Sequence, residues 1–411
     1  MDVDISYLSS NNWVEADMRE RMRWLRENDP VRWSETDNLW LISRYEDVVY
    51  CSKHQEIFTS GQGVRPGLAA KIGLIDEEEP RHGALRGLIN RGFTPRMVRK
   101  LEETFLHITT QAIDEVSREG KCDFVSSISV PLPLRLIAAM IGIHEEDYDS
   151  FAQWSNAMIA AEGRHDDVEV MTKASTAYMQ YAAYVTKVIE DRRKHPRDDM
   201  VSILAGAKDE GLLVEYDEDA SQFAGHTEQM SLANDELIKL MVILMVAGNE
   251  TTRNALSGSM QLLIENPEIK QQLIDDPSRI RNAVEEMLRL VSPVHSFGRT
   301  VLQDAEVGGQ KIKAGETVLL LYPSANRDAD VFEEPERFDI DRKPQHVAFG
   351  IGSHFCLGAN LARMELRVAL EQVLPRMRDI EYADAMGAVV YPSSLVRNCV
   401  SMQVRFTPEE A

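Results

Sequence analysis

This chain of 411 residues predicts a mainly helical α+β fold, a large helical region with a smaller β-rich one, and three observations carry that prediction. Amphipathic periodicity of helical type runs from about Pro95 to Ile264 with two interruptions. Strand-like runs are confined to early and late segments, near Val31 to Ile42, Val301 to Leu321 and Met402 to Phe406. That order, few strands, then many helices, then strands, is α+β rather than α/β. No Gly/Ser-rich linker, repeat or low-complexity tract divides the chain, so a single domain over 1–411 is expected.

Each element has a local reason. Glu15 to Glu27 spaces apolar and charged residues as a helix does. Val31-Arg32-Trp33 and Leu39 to Ile42 flank Thr36-Asp37-Asn38, a hairpin pattern. Pro80 suits the first turn of a helix that carries His82 and Arg86 on one face, at i and i+4. Pro131 and Pro133 break the helical stretch once, and the acidic stretch Lys208 to Gln229 reads as a loop. Asn234-Asp235-Glu236 supplies an N-cap and first-turn acids for a long helix to about Glu265, stopped by Asn266-Pro267. A second helix is expected from about Pro277 to Leu290, then strands with turns at Gly308-Gly309 and Ala314-Gly315, and a helix from Ala359.

Composition excludes several classes. A net charge of −22 disfavours nucleic acid as a partner. Cys51, Cys122, Cys356 and Cys399 lie far apart with no C-x-x-C spacing, which fits a reducing compartment and neither a zinc site nor a disulfide framework. Met1 to Ile5 lacks the basic and apolar regions of a signal peptide, and the longest apolar run, Leu240 to Ala247, is too short to span a bilayer. A soluble, cytoplasmic protein without a membrane partner is expected, and a monomer.

The chemistry concentrates in Phe349-Gly350-Ile351-Gly352-Ser353-His354-Phe355-Cys356-Leu357-Gly358. A lone cysteine is ordinarily a buried, inert thiol. Here glycines let the backbone approach a large flat ligand, and the following helix turns its N-terminal N–H groups toward the sulfur. That environment favours a thiolate and suits a haem-iron ligand. A second cluster, Ala247-Gly248-Asn249-Glu250-Thr251-Thr252, puts Gly, Asn, Glu and two Thr in the middle of an apolar helix. It is either a kink or polar face, or a distorted turn over a ligand. A third, Glu286-Met287-Leu288-Arg289, places Glu and Arg on one helix face.

The pattern F-G-x-G-x-H-x-C-x-G resembles the haem-binding loop of cytochromes P450. Ala247 to Thr252 resembles that family's acid–alcohol motif, and the motifs follow the family's order from about Trp24 to Phe406. The resemblance implies a P450 fold with haem b, held by Cys356 as axial iron ligand and contacted by Phe349, Gly350, Gly358, Ala247 and Gly248. His82, Arg86, Arg299 and His354 match the propionate contacts. Thr251 would donate a hydrogen bond to dioxygen and Glu250 would relay protons from solvent. Glu286 and Arg289 match the E-x-x-R pair, whose partner would be an arginine near Asn326 to Asp328 or in Pro335-Glu336-Arg337-Phe338, and Arg337 fits best.

By the same resemblance, Val64, Leu74, Val246, Ala247, Val291, Val294 and Leu395 would line a pocket for an apolar substrate, with His295 and Arg65 available to a polar group. Arg96, Arg99, Lys100, Arg363 and Arg367 would face an acidic ferredoxin. The leading expectation is a monooxygenase that inserts one atom of O2 into a C–H bond of a steroid or terpenoid. A fatty-acid or macrolide hydroxylase, a peroxide-driven enzyme and a non-catalytic haem-thiolate sensor are the alternatives.

Overall fold

Helix α1 (Glu15–Asn28) forms where its spacing predicts and buries Met18, Met22 and Leu25 along one stripe. The computed structural model describes residues 5–7, 13–67, 73–90, 95–161, 167–197, 199–209 and 234–410. β1 (Val31–Ser34) and β2 (Leu39–Ile42) make the expected antiparallel hairpin, with Asn38 at φ 53° in the turn. Asparagine tolerates that left-handed conformation better than most residues. Next come α2 (Tyr45–Lys53), β3 (Phe58–Thr59) and a 3-10 turn at Leu74–Asp76. They are followed by α3 (Arg81–Asn90), α4 (Pro95–Asp114) and β4 (Lys121–Asp123).

A π-helical turn, Val125–Ser129, leads into α5 (Pro131–Ile141). Pro131 and Pro133 therefore open a helix rather than only interrupting one, because a missing N–H is harmless in a first turn. Then follow α6 (Tyr148–Ala160), α7 (Val168–Lys194) and α8 (Met200–Asp209). Of the expected loop at 208–229, Lys208 and Asp209 close α8, and 210–229 lies outside the described residues.

The long helix α9 (Asn234–Glu265) has the predicted extent. Pro267 ends it and starts α10 (Pro267–Asp275), which sequence periodicity passed over; one proline serves as both stop and N-terminal residue. A 3-10 turn at Pro277–Arg279 precedes α11 (Ile280–Val291). β5 (Ser296–Val301), β6 (Ala305–Val307), β7 (Gln310–Ile312), β8 (Thr317–Leu321) and α12 (Tyr322–Ala325) come next. The described chain closes with α13 (Ala359–Arg376), β9 (Glu381–Tyr382), β10 (Ala388–Tyr391) and β11 (Asn398–Arg405).

Two compact units divide the chain, one of Met1–Lys71, Glu102–Pro133 and Glu250–Ala411, the other of Ile72–Leu101 and Leu134–Asn249. In the first, a sheet runs β1-β2-β8-β5-β3, antiparallel except for the parallel β2–β8 pair. Both faces of this sheet are covered. Val318 and Leu320 face Val48, Cys51 and Phe58, while Leu319 and Leu321 face Met18, Met22 and Leu25. Two-sided burial explains why β8 reads as a continuous apolar run, Val318-Leu319-Leu320-Leu321. A second sheet runs β10-β11-β4 with β9 also on β11, and β6–β7 is a separate hairpin.

In the second unit α6 packs on α7 and α7 on α8. Arg192 of α7 bonds Asp199 at 2.6 Å and the Gly142 carbonyl at 2.8 Å, both charges almost fully buried. Arg192 also pairs with the more exposed Asp191 at 2.6 Å, so loss of Asp199 would leave the guanidinium a counter-ion but one buried N–H unsatisfied. Asp199→Ala should therefore destabilise the protein by about 1–3 kcal/mol in denaturant titration.

Candidate active site

The loop from His346 to Gly358 is shaped by its own backbone. The Val347 carbonyl accepts from Gly350 N–H at 2.9 Å, and the Phe349 carbonyl accepts from Cys356 N–H at 2.9 Å. Gly352 sits at φ 83°, and a Cβ there would lie 2.5 Å from the Ser52 carbonyl oxygen at the end of α2. Only glycine lets the loop dock so closely. Gly350, at φ 66°, and Gly358, which precedes α13, complete the turn. His354 is tied to Ser60 Oγ at 2.9 Å, so its ring is oriented by the segment after β3.

Cys356 is the exposed cysteine of the four. Burial pushes the Cys122 thiol up to about 12 and raises Cys51 and Cys399 as well, so those three are held as neutral thiols. Arg299, on β5, is buried with no carboxylate partner among the described residues. It donates to the Gly298 carbonyl at 2.7 Å and lies beside the Tyr322 hydroxyl. A buried guanidinium without a counter-ion is costly unless an anion is supplied. An exposed thiol in a loop opened by glycines, in the same unit as a buried and uncompensated arginine, fits a haem and its propionates.

The E-x-x-R pair proves to be wholly buried rather than an exposed helical ion pair, with both side chains at 0% exposure. Arg289 Nε and Nη2 each meet the Glu286 carboxylate at 2.7 Å. The remaining N–H groups reach the carbonyls of Asn326 (2.8 Å), Pro335 (2.7 Å) and Arg337 (3.3 Å). Here the structure corrects the sequence reading. The cation that meets Glu286 is Arg342, at 3.1 Å, whereas the Arg337 side chain is turned to solvent and pairs with Glu334. Arg337 contributes its carbonyl only. Asn326 then passes the constraint on, since its Oδ1 accepts from Val347 N–H at 2.7 Å, where the cysteine loop begins.

A second clamp was not anticipated. Glu285 bonds Arg363 of α13 through both oxygens, at 2.7 and 2.9 Å, and lies 3.3 Å from His346 Nε2. His346 Nδ1 accepts from Ala348 N–H at 3.2 Å, so Nε2 carries the proton toward Glu285. The Arg363 guanidinium stacks over the Phe349 ring at 4.6 Å. Burial raises the Glu285 pKa, but His346 and Arg363 outweigh it and bring the carboxyl down to about 2. Arg367 is likewise paired, with Glu102 at 2.6 Å and Glu371 at 2.9 Å. The expected basic face is thus largely neutralised at these two positions. Arg99 and Lys100 remain exposed, and the Arg96 side chain lies outside the described residues.

α9 is α-helical through 247–252. Ile137 of α5 packs against Gly248, and its Cδ1 would lie 2.7 Å from a Cβ there. Ala247 is exposed and Thr251, one turn on, is half-exposed. Glu250 is buried. Its Oε1 accepts from Arg253 at 2.7 Å and from Asn254 at 2.9 Å. Asn254 in turn accepts from Cys399 N–H at 2.9 Å. The i+3 and i+4 spacing of Arg253 and Asn254 was the available signal for this cage. Asn249 donates to Ser155 of α6 at 3.0 Å.

His82 and Arg86 lie on α3 in the second unit. His82 is buried with Nδ1 2.9 Å from Glu79, and Arg86 is half-buried with no ion pair among the described residues. Of the expected substrate residues, Val294 bridges to Val396, and the Leu395 carbonyl accepts from His295 N–H at 2.8 Å. Val64, fully buried, accepts from Gly298 N–H at 2.7 Å. Val291 packs where Gly258 of α9 leaves room, Val246 is half-buried on α9, and Leu74 lies on the turn that begins at Gly73 against Ile243. His295 is engaged through one ring nitrogen and one ring face. Its Nδ1 donates to the Ser393 carbonyl at 2.8 Å and its ring stacks on Trp13.

Residues 164–379 match the family described as Cytochrome P450. The steroid C26-monooxygenase of Mycobacterium tuberculosis (strain ATCC 25618 / H37Rv) is 35% identical over 98% of this chain and 98% of its own length. Among solved structures, cytochrome P450 CYP268A2 of Mycobacterium marinum in complex with pseudoionone superposes with a TM-score of 0.86 at 33% identity, covering 99% of both chains. CYP109E1 of Bacillus megaterium in complex with testosterone gives 0.82 at 30% identity, covering 94% of this chain and 99% of its own. The chain belongs to the cytochrome P450 family. It is a P450 monooxygenase, and a haem cofactor follows from the family. Among the described residues no helix is long and apolar enough to cross a membrane.

Two predictions follow from this geometry. Arg342→Ala should destabilise the protein in denaturant titration and reduce haem retention, whereas Arg337→Ala should change stability by no more than about 0.5 kcal/mol. The depressed Glu285 carboxyl adds stability that is fully present above its ordinary value of 4.5 and is lost as pH falls toward about 2. Glu285→Gln should therefore flatten the acid limb of the stability–pH curve in that window.

Proposed function

We propose that this chain hydroxylates a steroid or terpenoid, using haem b and electrons from an acidic ferredoxin, as a monomeric cytoplasmic enzyme of one domain over 1–411. The observation that carries the substrate class is kinship along nearly the whole chain with a steroid C26-monooxygenase, together with structural likeness to relatives holding testosterone and pseudoionone. The aliphatic character of Val64, Leu74, Val246, Val291, Val294 and Leu395 agrees with an apolar substrate.

When bound, the haem would supply the activation of dioxygen, so that substrate, O2, two electrons and two protons give the alcohol and water. Cys356 would hold the iron, and Phe349, Gly350, Gly358, Ala247 and Gly248 would contact the haem. Arg299, His354, His82 and Arg86 would neutralise the propionates. Thr251 would hold a hydroxyl proton at the oxygen site. Glu250 would pass protons inward from solvent, with Arg253 and Asn254 keeping its carboxylate in a defined rotamer. Oriented proton donors of this kind contribute about 10²–10⁴-fold.

Electron delivery would occur near a groove of about 1020 Å³ between α11 and α13, lined by Arg281, Arg363, Arg367, Glu285 and Glu371 among others. Arg281 is exposed and makes no ion pair among the described residues, which leaves it available to an acidic partner. Arg281→Glu should slow ferredoxin-supported turnover and leave chemical reduction by dithionite unchanged.

Testosterone and pseudoionone should each shift the haem absorbance from low to high spin, with hydroxylated product found by mass spectrometry. No shift with either, alongside a shift with lauric acid, would replace the substrate reading by fatty-acid hydroxylation. The reduced, carbon-monoxide-bound protein should show the red-shifted Soret band of thiolate ligation, and Cys356→His should abolish it. Thr251→Ala and Glu250→Gln should each lower product formed per NADH by about tenfold or more. Coupling equal to the parent's would sink the proton relay.

A further inference from the structure

We propose that Trp13 and Glu15, at the entry to α1, brace the Ser393–Arg397 turn from behind and thereby set which substrates fit. The inference rests on the reading above that Val294 and Leu395 line the substrate pocket.

This turn joins β10 to β11 and is laced to the segment between α11 and β5. The Pro293 carbonyl accepts from Arg397 N–H at 2.8 Å, and the Leu395 carbonyl accepts from His295 N–H at 2.8 Å. Val294 and Val396 form an isolated β-bridge between them. Two side chains add to the ladder: Ser296 Oγ donates to the Ser394 carbonyl and His295 Nδ1 to the Ser393 carbonyl, each at 2.8 Å. The two aliphatic segments therefore move as one piece.

That piece is held from outside by residues near the start of the described chain. The Trp13 ring stacks on His295 with centroids 5.7 Å apart and planes at 12°. Trp13 is itself 3% exposed, and its indole N–H donates to the Ser6 carbonyl at 2.8 Å. Beside it, Glu15 Oε2 lies 3.5 Å from Arg397, whose guanidinium also donates to Gln261 of α9. Burial raises the Glu15 pKa, but Arg397 and Arg19 outweigh it and hold the carboxyl near 2, so it stays ionised against the turn. Burial lowers the His295 pKa, which keeps the ring a neutral Nδ1–H donor.

A stacked, buried ring fixes His295 in one rotamer, and His295 fixes the Ser393 carbonyl. Loss of the Trp13 ring leaves a void on the outer side of the ladder, into which the turn can relax and draw Leu395 with it. A displacement of methylene size in an apolar pocket changes discrimination about 10- to 200-fold. Trp13 and Glu15 are thus positioning residues, acting on the pocket through His295 and Arg397.

The test uses the haem-loaded protein, with imidazole and 4-phenylimidazole as spectral probes and backbone hydrogen exchange of the peptide covering 393–399. Trp13→Ala should weaken 4-phenylimidazole by about tenfold relative to imidazole, which is too small to sense the walls. It should speed exchange in 393–399 while exchange in α13 and the carbon-monoxide spectrum stay parental. Trp13→Phe should restore both readouts, and Glu15→Gln should reproduce the loss in milder form, which decides the matter if Trp13→Ala does not fold. An unchanged affinity ratio, or unchanged exchange at 393–399, in the folded variants overturns the inference. Failure of testosterone and pseudoionone to bind the parent would instead overturn the substrate reading, because neither probe here depends on it.

Discussion

The Glu286–Arg289 pair is the constraint on which the haem-side architecture depends. Two opposite charges at zero exposure are tolerable only if every lone pair and N–H is used. Arg289 satisfies its donors on the carbonyls of Asn326, Pro335 and Arg337, and Glu286 takes Arg342 and the Asp339 N–H. An irregular segment that offers little regular backbone pairing of its own is thereby folded around a charge. Asn326 carries the order forward to Val347, and from Val347 the loop turns to place Cys356. The stability of the pair and the position of the thiol are two consequences of one network.

The Glu285 clamp adds a second tether, built from a different chemistry. Where Glu286 faces inward, its neighbour turns to the groove and takes Arg363, which lies on the Phe349 ring. The thiol loop is therefore held from its start through Asn326 and from its aromatic residue through Arg363. Both routes return to α11, whose consecutive glutamates serve opposite faces.

The sequence made the cysteine loop legible because its constraints are local: glycines at positive φ, a histidine and a thiol within ten residues. The long helix and its polar centre were legible for the same reason. Arg337 was misplaced because P-E-R-F fits the expected pattern, while which of two nearby arginines turns inward is settled by the path of an irregular segment. At Gly248 a missing side chain looks the same in sequence whether a ligand or a neighbour such as Ile137 lies beside it. The start of α10 was hidden because Pro267 is a terminator and an initiator at once. The stacking partner of His295, Trp13, was hidden because it lies at the other end of the chain.

These differences sort by physics. On the thiol side, buried charges demand satisfied partners, so a single residue exchanged there leaves an uncompensated group and the arrangement tolerates little change. On the turn that carries Leu395, the inner residues are aliphatic, and apolar contacts accept many shapes at small cost. What restricts that turn is polar and lies behind it, in His295, Arg397 and the N-terminal residues that hold them. If that turn lines the substrate pocket, as proposed above, exchanges at this outer brace would alter substrate choice without touching the substrate.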